Sequence, residues 1–91
     1  MKRYIYAYTK ASLDALAAMP KDVRRQIKRK IDGLAEGSTR QGIKLRGVLD
    51  GTHHVYRIRS GHYRILYSIR DDSKIIVLDI GHRRDIYRRL N

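Results

Sequence analysis

The segment VYRIRSGHYRILYSI, residues 55–69, has the pattern of two β-strands joined by a tight turn. In its first half apolar residues alternate with Arg57 and Arg59, and after the turn apolar residues again recur at every second position. Ser60-Gly61 is a typical pair for a tight reversal of the chain. The segment therefore predicts an antiparallel hairpin with one apolar face and one face that carries arginines.

A third strand is predicted after this hairpin. Residues 74–80, KIIVLDI, are almost continuously apolar, which is typical of a central strand covered on both faces. Gly81 is expected to end the strand and to let His82 and Arg83 turn back toward the arginine-bearing face. Residues 83–90 are predicted to form a short helix or an irregular tail.

In the amino-terminal half, the spacing of the hydrophobic residues changes from that of a strand to that of a helix. A first strand is predicted at residues 4–8, where tyrosines recur at every second position. A short helix follows, with Thr9 or Ser12 as its cap and with Leu13 and Leu16 facing inward.

A second helix is predicted from Lys21 to about Glu36, after the break at Pro20. Its apolar residues lie at helical spacing: Val23, Ile27, Ile31 and Leu34. Residues 42–51 are rich in glycine and are predicted to be a loop, anchored at Lys44-Leu45-Arg46. The predicted order is β-α-α-β-β-β, an α+β fold in a single domain over residues 1–91.

The charge of the chain indicates a polyanionic partner. Lysine and arginine number 21 against 9 aspartates and glutamates, a net charge of +12 in 91 residues. Nucleic acid is the first candidate, because phosphates that bind cations release counterions, and an acidic protein is the second. The absence of cysteine excludes disulfides and thiolate metal sites. No apolar run approaches the roughly 18 residues of a membrane span, no signal peptide is visible, and a cytoplasmic protein is expected.

The arginines suggest a site for a phosphate. Directly opposed side chains on one face of an antiparallel pair lie about 5 Å apart at Cβ, so Arg57 or Arg59 is predicted to share a patch with Arg64. Like charges that close destabilise a sheet unless an anion binds. Tyr87 follows Arg83 by one helical turn if the tail is helical. These residue types are the ones that an RNA-cutting site without a metal would need.

Simpler interpretations exist for several of these residues. Arg57 and Arg59 are also what the solvated face of a strand would carry. His82 is either a general base or a residue that packs at a strand end. The pair His53-His54 lacks supporting carboxylates and is weak evidence for a metal site. Tyr63 and Tyr67 are predicted to be core residues rather than stacking platforms for bases.

Three motifs together resemble the carboxy-terminal signature of the RelE toxins of bacterial and archaeal toxin–antitoxin systems. They are Tyr56-Arg57-Ile58-Arg59, the strand from Gly61 to Tyr67, and Gly81-His82-Arg83-Arg84-Asp85-Ile86-Tyr87. The resemblance extends over nearly the whole chain and identifies it as a member of the RelE/ParE superfamily. It implies an antiparallel sheet with two amino-terminal helices packed on it, in agreement with the predicted order.

The resemblance also implies an activity. RelE-like toxins enter the A site of the 70S ribosome and cut the mRNA by attack of a 2′-hydroxyl on its own phosphate, without a metal or another cofactor. Carried over by position, Arg57 and Arg59 match the two basic residues of the family's second strand, and Arg64 matches the phosphate-binding arginine of the third strand. Arg83 matches the arginine that stabilises charge or protonates the leaving group, and Tyr87 matches the tyrosine that orients or helps activate the nucleophile. The basic residues around them are expected to bind RNA: Lys44, Arg46, Arg57, Arg84 and His82.

One departure from the family pattern concerns the general base. RelE toxins carry lysines where this chain has Arg57 and Arg59, and arginine is a poor base because it stays protonated. The base would then be Tyr87, His82 or His62, or be absent from the chain.

Partners follow from the same resemblance. A cognate RelB-like antitoxin is expected to cover the face that bears Arg59, Arg64 and Arg83, or to displace the segment after Arg83. Two other functions are open: a ParE-like inhibitor of DNA gyrase, and a non-catalytic module that binds RNA or the ribosome.

Overall fold

The computed structural model describes residues 5–36, 42–70 and 74–86 of the chain. The elements are β1 (Ile5–Tyr8), α1 (Lys10–Ala17), α2 (Lys21–Ala35), β2 (Ile43–Asp50), β3 (His53–Ser60), β4 (Tyr63–Arg70), β5 (Lys74–His82) and α3 (Arg83–Ile86). The strands form one sheet in the order β1-β5-β4-β3-β2. All neighbours are antiparallel except β1 and β5, which are parallel. The predicted α+β fold is confirmed. No helix among these residues is long and apolar enough to cross a membrane.

The two amino-terminal helices cover one side of the sheet, which we call the helix face. Ile27 and Ile31 of α2 are completely buried and belong to one cluster with Ile65 and Tyr67 of β4. This is the outcome that the helical spacing and the strand alternation predicted, and it confirms Tyr67 as a core residue. Burial of side chains of this size stabilises the fold by about 1.5–3 kcal/mol each.

Helix α1 departs from the prediction at one residue. Thr9 caps the helix, accepting a hydrogen bond from Ser12 N at 3.2 Å, but Leu13 is 52% exposed and Ser12 is fully buried. The prediction for Leu13 was wrong because Ser12 precedes Leu16 by four residues and therefore shares its face. The buried Ser12 hydroxyl donates to Thr9 O at 2.9 Å, so its burial leaves no hydroxyl donor unpaired.

Strand β1 is tied to α2 through a tyrosine. Tyr6 donates a hydrogen bond to Asp32 Oδ1 at 2.9 Å, and this bond raises the pKa of the Tyr6 phenol. Tyr8 packs against the core of the helix face, and burial raises the pKa of Tyr8 to about 12.

Strand β2 corrects the prediction of a loop at residues 42–51. It pairs with β3, with a register shift between Lys44 and Leu49 that contains Gly47 at φ 74°. Such a bulge accommodates a glycine inside a strand. Leu45 and Val48 pack against the cluster on the other side of the sheet. The glycines that suggested a loop thus belong to an irregular edge strand.

The side of the sheet opposite the helix face is called the open face here. It carries a small cluster of Val55, Leu66 and the completely buried Ile86. Because Ile86 lies on α3, the chain after β5 folds back over this face. The strand itself continues to His82, one residue beyond the end predicted at Gly81, and His82 lies opposite Tyr63, which packs on the helix face. The prediction that His82 turns toward the arginine-bearing face was therefore wrong, because the strand still pairs with β4 at this residue.

Candidate functional site

The register of β3 and β4 places three arginines on the open face. Arg59 lies directly opposite Arg64, and Arg57 lies opposite Leu66, whose side chain belongs to the open-face cluster. Since side chains alternate along a strand, Arg57, Arg59, Arg64 and Leu66 point to the same side. Arg59 is exposed, Arg57 is half-buried and Arg64 is buried. The sequence prediction that these residues share one face agrees with this register.

Arg64 has an unusual environment for a cation. Only 6% of it is exposed, and its Nη1 donates to Gly61 O at 3.1 Å and to Tyr63 O at 3.0 Å. Its Nε is buried and has no hydrogen-bond partner within the described part of the chain. Both carbonyls belong to the β3–β4 turn and its flank, so the side chain turns back along its own strand. A buried guanidinium with an unused donor is suited to receive an anion, because an unpaired buried polar group is costly.

A second arginine of β4 provides a comparison. Arg70 also has a buried Nε without a partner, but it forms an ion pair with Asp50, which also accepts a hydrogen bond from Ser68 Oγ at 3.4 Å. The charge of Arg70 is therefore neutralised within the chain. No carboxylate of the described ranges forms an ion pair with Arg64.

Two histidines lie where α3 meets the sheet. The rings of His62 and His82 are stacked, with centroids 6.1 Å apart, and Tyr63 contacts His82 edge-on at 5.9 Å. Arg83 N donates to His62 O at 2.9 Å, and Arg84 N donates to His82 Nδ1 at 3.2 Å. An Nδ1 that accepts a hydrogen bond carries no proton, so the neutral His82 ring has its proton on Nε2. In this arrangement His82 is a donor rather than a base at Nε2.

The pairing of these two histidines was missed in the sequence, where His82 was considered alone. The signal was available in the register, because His82 lies opposite Tyr63, the residue next to His62. Once the hairpin and the third strand are aligned, both rings must lie at the same end of the sheet.

The other predicted site residues are placed as follows. Arg83 and Arg84 are exposed on α3, next to the open face. Lys44 lies opposite Tyr56, which packs on the helix face, so the register puts Lys44 on the side away from the three arginines. Arg46 is exposed in the irregular part of β2. Tyr87 lies outside the described residues.

The two histidines considered as a metal site, His53 and His54, lie on opposite faces of the sheet. His53 and His54 are neighbours on β3, so their side chains point to opposite faces of the sheet. Within residues 5–36, 42–70 and 74–86 no group of three or more histidines and acids is arranged to hold a metal ion.

Comparison with known proteins agrees with the fold and with the motifs. The family model described as the ParE toxin of the type II toxin–antitoxin system parDE matches residues 3–87. Toxin RelE3 of Methanocaldococcus jannaschii is 32% identical over 81 residues, which are 88% of this chain and 91% of that protein. Toxin RelG of Mycobacterium tuberculosis is 42% identical over 57 residues, and the match spans 62% of the length of each protein.

Solved structures give the same result. A chain of the toxin–antitoxin complex RelBE2 from Mycobacterium tuberculosis superimposes with a TM-score of 0.75 and 29% identity, covering 93% of this chain and 97% of its own. A chain of the RelE–RelB complex from Pyrococcus horikoshii OT3 superimposes with a TM-score of 0.69 and 32% identity. The match covers 91% of this chain and 97% of that chain. The chain belongs to the RelE family of toxins of type II toxin–antitoxin systems, within the group that the ParE toxin family model describes.

Proposed function

We propose that this toxin is a metal-independent endoribonuclease that cuts mRNA in the ribosomal A site and so inhibits translation. The observation that carries the proposal is Arg64, a buried guanidinium with an unused Nε donor, directly opposite Arg59 on the open face. Anions bind guanidinium groups through two parallel hydrogen bonds, and a phosphate is the anion that RNA supplies. Ribosomes and mRNA place the activity in the cytoplasm.

The proposed reaction forms a bond between the 2′-oxygen and phosphorus and breaks the bond between phosphorus and the 5′-oxygen. The 2′-hydroxyl loses its proton to a base, and the leaving 5′-oxygen gains a proton. The products are a 2′,3′-cyclic phosphate and a free 5′-hydroxyl. Arg59 and Arg64 bind the charge that builds up on the phosphoryl oxygens, and fixed donors of this kind act most strongly where water is excluded.

The remaining roles are assigned to the segment after β5. Arg83 stabilises or protonates the leaving oxygen, and Tyr87 orients the 2′-hydroxyl. Since the neutral His82 ring carries its proton on Nε2, we assign His82 to RNA binding and leave the role of base to His62 or Tyr87. Flanking RNA is contacted by the outer basic residues Arg46, Arg57 and Arg84. Lys44 lies on the helix face and is not assigned to this contact.

An antitoxin like RelB is the proposed protein partner. The solved relatives include RelB–RelE complexes, and apolar side chains suitable for such a contact are exposed on both edges of this sheet. Ile5 is 71% exposed at the β1 edge and Leu13 is 52% exposed on α1, and Ile43 and Leu49 are 60% and 57% exposed at the β2 edge. An acidic segment that runs between these edges would cross the open face and cover Arg64.

Primer extension on a defined mRNA in a reconstituted translation system tests the proposal. The wild-type toxin is compared with Arg59→Gln and Arg83→Ala, and with Lys74→Gln as a control of equal charge change at an exposed position away from the site. Discrete, ribosome-dependent cuts that disappear in the two site variants and persist in the control are expected. Intact message with the wild-type toxin would refute the ribonuclease function.

A ParE-like inhibitor of DNA gyrase is the second candidate, and the description of the matching family model favours it. A supercoiling assay with purified gyrase distinguishes the two functions. Inhibition by the wild type and by Arg83→Ala alike, with intact message, would support the gyrase function. Binding to ribosomes without cutting would indicate a non-catalytic module.

A further inference from the structure

The outer face of α2 carries a second concentration of positive charge, on the side of the molecule away from the open face. Among the described residues, a shallow hollow there is lined only by charged side chains, and we call it the basic hollow: Lys21, Arg24, Arg25, Lys28, Arg29 and Asp32. Lys21, Arg25 and Arg29 form one row along the helix, and Arg24, Lys28 and Asp32 form the next. Successive members of a row are four residues apart, about 6 Å along the axis.

Within the described part of the chain, no ion pair is found for the cations of the basic hollow. The pairs Lys10–Asp14 and Arg70–Asp50 include no residue of α2. The one acid of the hollow, Asp32, accepts a hydrogen bond from the Tyr6 hydroxyl. Like charges at a spacing of four residues destabilise a helix. An external polyanion would remove this repulsion.

The chemistry of the lining selects the kind of polyanion. Protein interfaces have cores depleted of charged residues and anchored by apolar or aromatic side chains, and the basic hollow has none. A row of phosphates needs only cations in register. The exposed apolar side chains that suit a protein partner lie elsewhere, on α1 and on the sheet-edge strands β1 and β2.

The basic hollow is also continuous with the candidate site. Arg29 lines it and also lines a neighbouring hollow with Gln26, Lys30, Ser60 and Gly61. Gly61 is the residue whose carbonyl accepts a hydrogen bond from Arg64 Nη1. A continuous basic surface thus runs from α2 to the β3–β4 turn that holds Arg64.

We propose that the basic hollow of α2 binds the phosphate backbone of double-helical RNA, as a docking site separate from the open face. The biological setting rests on the RNA-directed function proposed above, in which structured ribosomal RNA surrounds the message. The contact is to the backbone and does not depend on base sequence. It would hold the toxin by α2 while the open face, on the other side of the sheet, receives the single strand to be cut.

The test is fluorescence anisotropy of a short, blunt-ended RNA duplex titrated with the full-length toxin at several salt concentrations. Arg25→Gln/Lys28→Gln is compared with Lys10→Gln/Lys74→Gln, which removes the same charge from exposed sites outside both hollows. Because each phosphate contact contributes about one unit to the slope of log affinity against log salt, the α2 variant should lower the slope by about two. The control variant should leave it nearly unchanged.

Two results would overturn the proposal. Equal losses in both variants, or none in either, would show that the basic hollow has no special part in binding. Weaker binding of the cognate antitoxin by the α2 variant, with duplex binding unchanged, would assign the hollow to the protein partner. No cleavage enters this measurement, so failure of the ribonuclease function leaves it valid.

Discussion

Replacement of Arg64 by methionine separates binding of an anion from support of the fold. The substitution removes two hydrogen bonds from a charged donor to carbonyls, a loss of about 1.5–3 kcal/mol each. It also removes a buried cation whose Nε has no partner, and the penalty for such a group is several kcal/mol. These terms oppose each other and are of similar size. The free energy of unfolding of Arg64→Met should therefore lie within about 2 kcal/mol of the wild type.

The effect on cutting should be far larger. Loss of one fixed donor to a charged transition state lowers a rate by about 10²–10³, and methionine offers no donor. The assays are guanidinium unfolding followed by circular dichroism, and the rate of message cutting in the translation system.

Arg70→Met is the matched control, because Arg70 lies on the same strand and face but is paired with Asp50. It should lose about 1 kcal/mol of stability, as expected for a partly exposed ion pair, and should keep its cutting rate. The reasoning is refuted if Arg64→Met unfolds more easily by over about 4 kcal/mol, which would make Arg64 a structural residue. It is also refuted if the variant cuts at the wild-type rate, which would remove Arg64 from the site.

Three further predictions concern the scaffold of the site. Gly42→Ala places a Cβ 2.0 Å from Arg57 O, so the β2 edge must shift and break the 2.7 Å hydrogen bond from Gly42 N to the Tyr67 hydroxyl. Urea unfolding should show that the free energy of unfolding falls by about 2–4 kcal/mol. A variant as stable as the wild type would contradict the close approach of Gly42 to β3. Ile86→Ala should cost about 2–5 kcal/mol if α3 is packed as described, and a loss under about 1 kcal/mol would mean that α3 is not held to the open face. The pKa of Tyr8 is raised from 10.0 to about 12, so its contribution to stability is complete below pH 10 and is lost as the pH rises through 12. The denaturant midpoint of the wild type should therefore fall at alkaline pH, and Tyr8→Phe should reduce this fall. An identical fall in both proteins would exclude Tyr8 as its source.

The elements that could be predicted from the sequence are those whose local pattern and tertiary environment agree. The hairpin of β3 and β4 has a strict alternation, so the shared face of its arginines follows directly. Its turn is Gly61-His62, with Gly61 at φ 60°, and not the predicted Ser60-Gly61, so the register that pairs Arg59 with Arg64 did not follow from the sequence. Helix α2 has a clear apolar stripe. Ile27, Ile31, Ile65 and Tyr67 are buried as expected, whereas Val23 and Ile58 are partly buried and pack against the same core.

The features that escaped prediction depend on long-range contacts. Strand β2 is glycine-rich, and it becomes a strand because Ile43 and Lys44 pair with β3. Lys44 and its partner Tyr56 are 12 residues apart in the chain, so they meet only once the β2–β3 turn has closed. The side of Lys44 could not be known without that register. The burial of Arg64 depends on a side-chain rotamer that folds back on the β3–β4 turn. The alternation of side chains along β4 predicts only the face of the sheet on which Arg64 lies.

The parallel pairing of β1 with β5 has a consequence for when this toxin becomes complete. Ile5 pairs with Lys74 and Tyr8 with Val77, and Thr9 donates its hydroxyl hydrogen to Leu78 O at 2.7 Å. The strand made first therefore finds its partner only when the last strand has been synthesised, and contacts so distant in sequence form slowly. A nascent chain that still lacks β5 has neither a finished sheet nor α3. Any activity that needs the complete sheet and α3 is therefore acquired only after β5 and α3 have been made.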